Sequence, residues 1–216
     1  PKIQMRTILA LVIAFALIQS FTSIYNDPFM KLFITMYAFC AVGMTMLMQI
    51  MSFEGNYIDG LMVRKECILT VLKAKYILSC LYMVVPLVIL IPTMVTGKVT
   101  VLFVFSMACF SMGVVYFMLF QLVVYNTNTI PLNMKVGQRQ SSSSMQKVMA
   151  FAVFIVPMAL YWLLEMLCGK TVGDLILLFM GIVFILLSNV WLKNVYQRFM
   201  KRRYKNMDEL RSSRMN

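Results

Sequence analysis

Glu165 is the one acid embedded in a long apolar run, Tyr161-Trp162-Leu163-Leu164-Glu165-Met166-Leu167-Cys168. An ionisable group there is costly, and such groups mark substrate paths, ion paths or proton relays. Its plainer placement is the headgroup boundary, where it reaches water beside the interfacial Tyr161 and Trp162. Past residue 66, Asp174 is the only other acid in or beside an apolar run. The chain contains no histidine. That excludes serine hydrolases with a histidine base and zinc proteases of the H-E-x-x-H type. Cys40, Cys80 and Cys109 fall inside apolar runs, Cys67 between two of them and Cys168 at the end of one; no CxxC pair occurs. Small apolar filling at helix contacts accounts for the three inside runs. Methionine is abundant, at 22, but Met44, Met46 and Met48 are two residues apart and so point to different helix faces, unlike a copper-binding set. Gly97-Lys98-Val99-Thr100 lacks the upstream glycine of a phosphate loop. We therefore expect no enzymatic activity and no cofactor or metal bound by this chain.

The elements that position these residues follow from composition. Of 216 residues, 61% are apolar and 13% charged, about half the ~25% charge of a soluble domain. The surplus must face lipid. Six apolar runs are each long enough to cross a bilayer: Thr7–Tyr25, Phe29–Met51, Ile77–Val95, Thr100–Tyr125, Val148–Cys168 and Val172–Leu192. Transmembrane strands are about 10 residues long and alternate in polarity, whereas Val84 to Ile91 and Leu175 to Leu187 are apolar on every face. The expectation is an all-α polytopic protein: a six-helix domain over residues 1–192, cytoplasmic loops at 52–76 and 126–147, and a basic cytoplasmic tail at 193–216. Six crossings use ~120 residues and leave no room for a second folded domain. Lys2 and Arg6 before the first run resemble the start of a signal peptide, but Ser20-Phe21-Thr22 is a poor cleavage site.

Charge placement orients the helices. Lys2 and Arg6 precede the first run; Arg64, Lys65, Lys73 and Lys75 lie in the second connection; Lys135, Arg139 and Lys147 lie in the fourth; eight more follow the sixth. Only Lys31, Lys98 and Lys170 fall in the other three connections, out of 20 basic residues. Retention of basic residues on the cytoplasmic side then puts both termini and both long loops inside, in a bacterial inner or plasma membrane. The net charge of +12 is mostly this topology signal. The juxtamembrane Lys201, Arg202, Arg203 and Lys205 are expected to meet anionic lipid headgroups rather than nucleic acid.

The connection from Ser52 to Lys75 is too long for a simple turn, since bundle loops usually take ~2–8 residues. Its apolar Leu61, Met62, Ile68, Leu69, Val71 and Leu72 alternate with Arg64, Lys65, Glu66, Lys73 and Lys75, as in amphipathic helices at an interface. With Glu54-Gly55 at one end, Leu61-Met62 in the middle and Ala74-Lys75 at the other, it resembles the coupling loop of the permease subunits of ABC-2-type exporters. The motif covers residues 50 to 80, and the six-run pattern extends the likeness over the chain. Two departures stand out: Lys65 occupies the place of a customary proline, and only Pro1 to Arg6 precede the first run, where many members carry an amphipathic helix. The chain opens on Pro1 rather than methionine, which would fit the C-terminal half of a longer permease.

The resemblance implies a transmembrane subunit of an ATP-driven exporter that has no ATPase of its own. A separate ATP-binding subunit would carry the nucleotide and dock on the loop through Glu54, Gly55, Asp59, Leu61, Met62, Lys73 and Lys75. A second permease half or a second copy would complete the pathway, and Glu165 is the candidate residue on it. The alternative is a non-transporting membrane protein, such as an immunity or assembly factor, acting through its cytoplasmic loops.

Overall fold

A computed structural model describes residues 28–47, 60, 65–125 and 144–208 of the chain. The described elements are all helices: α1 (Pro28–Leu47), α2 (Lys65–Tyr82), α3 (Val84–Val95), α4 (Val101–Phe110), a π-helical turn (Ser111–Val115), α5 (Tyr116–Tyr125), α6 (Ser144–Cys168), α7 (Lys170–Leu186) and α8 (Ser188–Lys201). Three described helices are long and apolar enough to cross a membrane, over Ile68–Val95, Val101–Leu122 and Phe151–Cys168. The bent pair α7 and α8 makes a fourth if it is one span, and Pro28–Cys40 is a shorter apolar stretch. The first predicted run, Thr7–Tyr25, lies outside the described residues.

The third run begins earlier than its hydropathy indicates. Its helix starts at Lys65 rather than Ile77 and runs nearly continuously to Val95, about 45 Å at 1.5 Å per residue. A bilayer core is only ~30 Å thick, so this stretch is longer than one perpendicular crossing requires. The one irregularity is at Met83, between α2 and α3. Pro86, three residues on, has no N–H for the Tyr82 carbonyl and its ring crowds that turn. Met83 N–H accordingly bonds Cys80 O at 3.1 Å, one residue nearer than a regular turn requires. The helix stops at Val95, where Gly97 takes a left-handed φ of 70° and donates to Met94 O.

The sixth run is not straight. α7 and α8 meet at Leu187 with a 58° bend, so Val172–Leu192 is not one continuous transmembrane rod. Composition explains the turn: α7 is apolar nearly throughout, whereas α8 puts Trp191, Leu192, Val195 and Phe199 on a buried stripe and Lys193, Asn194, Gln197 and Arg198 elsewhere. Trp191 donates its indole N–H to Phe184 O at 3.1 Å, a carbonyl in the last turn before the bend. Its ring meets Tyr76, Phe117 and Phe120 edge-on at 5.3–5.7 Å, within the range of favourable aromatic pairs.

Val101–Leu122 is the axle of the bundle, 56% buried, while Phe151–Cys168 is 17% buried and presents Phe151, Ile155, Trp162, Leu163 and Met166 outward. That apolar belt has the character of a lipid-facing surface. Lipid gives helices no apolar incentive to associate, so close packing must hold them. One close backbone crossing pairs two glycines: a Cβ on Gly181 would lie 2.5 Å from Cys109 C, and one on Gly113 would lie 2.5 Å from Gly181 O. Gly113 sits in the π turn, whose widened backbone is tied down by Tyr76 donating to Met112 O at 3.4 Å. Nearby, Tyr116 donates to Ser79 O at 3.1 Å and its ring abuts Gly43.

Candidate functional site

The helix directions put Lys31, Lys98 and Lys170 at one end of the bundle and Lys73, Lys75, Lys147, Arg198 and Lys201 toward the opposite end. At the first end, the openings of α1, α4 and α7 converge on the close of α6 around a cavity of about 250 Å3. Lys31, Thr100, Tyr161, Glu165, Lys170 and Asp174 line it.

Local sequence builds this arrangement. Pro28 opens α1, where its missing N–H is no loss, and Lys31 follows within one turn. Gly169 alone joins α6 to α7, with a φ of 81° that suits glycine. Its N–H donates to Glu165 O at 3.0 Å, and its own carbonyl accepts from Gly173 N–H at 2.9 Å. The reversal brings Lys170 Nζ to 3.5 Å from Glu165 Oε1. Asp174 lies one helical turn beyond Lys170 and Tyr161 one turn before Glu165, so all four face one space. Phe103 on α4 packs edge-on against Tyr161, ring centres 5.4 Å apart, and closes the wall.

The four charges are unequal. Lys170 is 71% exposed and Glu165 25% exposed, so their pair forms a solvated rim. Asp174 is only 5% exposed, and its Oδ1 has no hydrogen-bond partner among the described residues. Half-buried Lys31 has no carboxylate within ion-pair distance among those residues. Among the described residues no group of three or more Cys, Asp or Glu side chains is arranged to hold a metal ion.

Glu165 therefore joins both readings of its sequence context: it reaches water at the end of a span, and it borders a charged cavity. Asp174 and Lys31 were not singled out as site residues. The available signal is that they belong to the few charged residues on this side of the sequence; what brings them together is the packing of α1 against α6 and α4, with α7 packed against the same two helices. Of the expected coupling residues, Glu54, Gly55, Asp59, Leu61 and Met62 lie outside the described residues. Lys73 and Lys75 do not border a loop; they stand within α2. Both are far from the cavity, toward the opposite end. There Arg198 donates to Gln121 Oε1 at 2.7 Å and to Tyr125 Oη at 3.2 Å, and Asn206 donates to Val124 O at 3.3 Å. The start of the expected tail is thus helical and bound to α5.

The sequence profile of one family, described as a family of unknown function (DUF5687), matches residues 2–212. The chain belongs to the DUF5687 family. No curated protein and no solved structure matches it. In this DUF5687 protein the charged cavity and the start of α2 lie at opposite ends of the bundle.

Proposed function

We propose that this DUF5687 protein is a permease subunit of an ATP-driven exporter of the ABC-2 type, without its own ATPase, driven by a separate ATP-binding subunit. In this reading the chain crosses a bacterial inner membrane six times with both termini cytoplasmic. The basic residues beyond the spans hold the cytoplasmic side, and the cavity end faces outward.

The observation that supports this reading is the nearly continuous helical stretch from Lys65 to Val95, broken only at Met83. The segment that resembles a coupling loop runs straight into a membrane-spanning helix. A push on its cytoplasmic end is carried along the span, with Met83 and Pro92 as the places to flex. Lys75 lies about 30 Å from Val95 along that stretch, so in this reading Lys73 and Lys75 fall near the membrane boundary. The basic helix α8 lies beside α2 and α5 at the same end, offering cationic surface to anionic headgroups.

The test is isolation of the complex from native membranes. Replacement of residues 61–72 by a Gly/Ser segment of equal length is expected to abolish co-purification of an ATP-hydrolysing subunit while the chain still inserts. Undiminished association would refute the coupling role, and absence of any ATPase partner would favour a non-transporting immunity or assembly factor.

A further inference from the structure

We propose that the cavity between α1, α4, α6 and α7 is a binding site for a zwitterion of the phosphoethanolamine type, a primary ammonium joined to a phosphate. Four observations point there. Asp174 is nearly sealed from solvent, yet its Oδ1 has no partner among the described residues and the residue lines the cavity. Leaving a buried acceptor unpaired is costly, and buried polar groups are nearly always satisfied. A ligand ammonium in the cavity beside the carboxylate compensates its charge. Lys31 faces the same space without a carboxylate at ion-pair distance among those residues, so an anionic group on the same ligand has its own counterpart. Glu165 and Lys170 neutralise each other at the rim, leaving Asp174 and Lys31 as one negative and one positive position, on which the two ends of a zwitterion can lie.

Size and depth narrow the class. About 250 Å3 is below the roughly 300–1,000 Å3 of sites for drug-sized ligands, so the ligand is small. The cavity lies at the helix ends, flanked by outward-facing Trp162, the level at which lipid headgroups sit. The same chemistry occurs on a membrane lipid and on a free phosphoethanolamine ester. The site does not depend on the permease reading.

The full chain is reconstituted in phosphatidylglycerol nanodiscs and titrated with sn-glycero-3-phosphoethanolamine. In parallel, its unfolding midpoint is compared in discs with and without phosphatidylethanolamine. Saturable binding of the soluble ester, a higher midpoint in ethanolamine-containing discs, or both is expected; the first alone assigns a free ligand and the second alone a lipid. Asp174→Asn is expected to weaken the signal about tenfold or more, the scale of one hydrogen bond to a charged group. Glycerophosphocholine, which keeps both charges but has no N–H to give the Asp174 carboxylate, is expected to bind at least about tenfold more weakly, and glycerophosphoglycerol not at all. Should Asp174→Asn not fold, Lys31→Gln carries the same expectation. No signal in either format, equal signals with the wild type and the folded variant, or equal binding of glycerophosphoglycerol would overturn the proposal.

Discussion

The crossing of α7 over α4 and the π turn offers the most direct test of how this bundle is held together. A methyl group added at Gly181 would lie 2.5 Å from Cys109 C, 2.6 Å from Cys109 O and 2.6 Å from Phe110 N. These are backbone atoms inside a helix, with no rotamer to yield. Restoring an ordinary contact of about 3.5 Å requires the two helices to separate by roughly 1 Å, which thins the packing along the whole seam. Overpacking of this kind costs about 1–3 kcal/mol. Removing a mid-helix glycine returns up to about 1 kcal/mol, so Gly181→Ala is expected to destabilise by a net ~1–2 kcal/mol. Gly173, two turns earlier in the same helix, is the internal control: its added Cβ would meet nothing nearer than 3.6 Å, an ordinary contact. Gly173→Ala is expected to be neutral or stabilising by up to about 1 kcal/mol. Both variants share one helix and one chemical change, so helix propensity cancels in their difference. The measurement is reversible unfolding of the purified chain in mixed micelles, read by circular dichroism. A Gly181→Ala variant as stable as Gly173→Ala would refute the close backbone crossing.

Other expectations concern the fastenings around that seam and the orientation. Trp191→Phe keeps a ring among Tyr76, Phe117 and Phe120 but loses the bond to Phe184 O; in the same unfolding assay it should cost about 1 kcal/mol, and Trp191→Ala about 3–5 kcal/mol. Tyr116→Phe, which removes the bond to Ser79 O, should cost about 0.6 kcal/mol, typical for a hydrogen bond between membrane helices. Arg198→Ala, losing contacts with Gln121 and Tyr125, should speed limited proteolysis beyond α8 with little change in global stability, as expected for exposed charged contacts. In a variant whose other cysteines are replaced by serine, exposed Cys168 should react with a membrane-impermeant maleimide on intact cells. A cysteine placed at Lys201 should react only after permeabilisation. The reverse pattern would invert the topology.

Helical character and the sorting of basic residues to two ends were legible in the sequence, because both depend on composition and order alone. Long runs without polar alternation leave the backbone only helices as a way to satisfy its own hydrogen bonds in lipid, and the placement of Lys31, Lys98 and Lys170 against the remaining basic residues needs no contact map. Helix limits were less legible. The helix over Lys65–Tyr82 carries enough charge to read as a connection, yet charged turns continue a helix readily where it leaves the membrane; the bend at Leu187 is marked in the run only by the polar pair Ser188-Asn189, which a membrane helix can also carry. Only the tertiary structure decided the candidate site. Glu165, Lys170 and Asp174 are joined by one glycine turn, but Lys31 and Thr100 come from far away in the chain, and the spacing between them encodes nothing. They meet because α1 and α4 pack beside α6 and α7, and that packing rests on residues as unassuming in sequence as Gly113 and Gly181, whose missing side chains let the backbones approach. One hydropathy profile is compatible with many bundle arrangements; a backbone contact between two glycines is compatible with few.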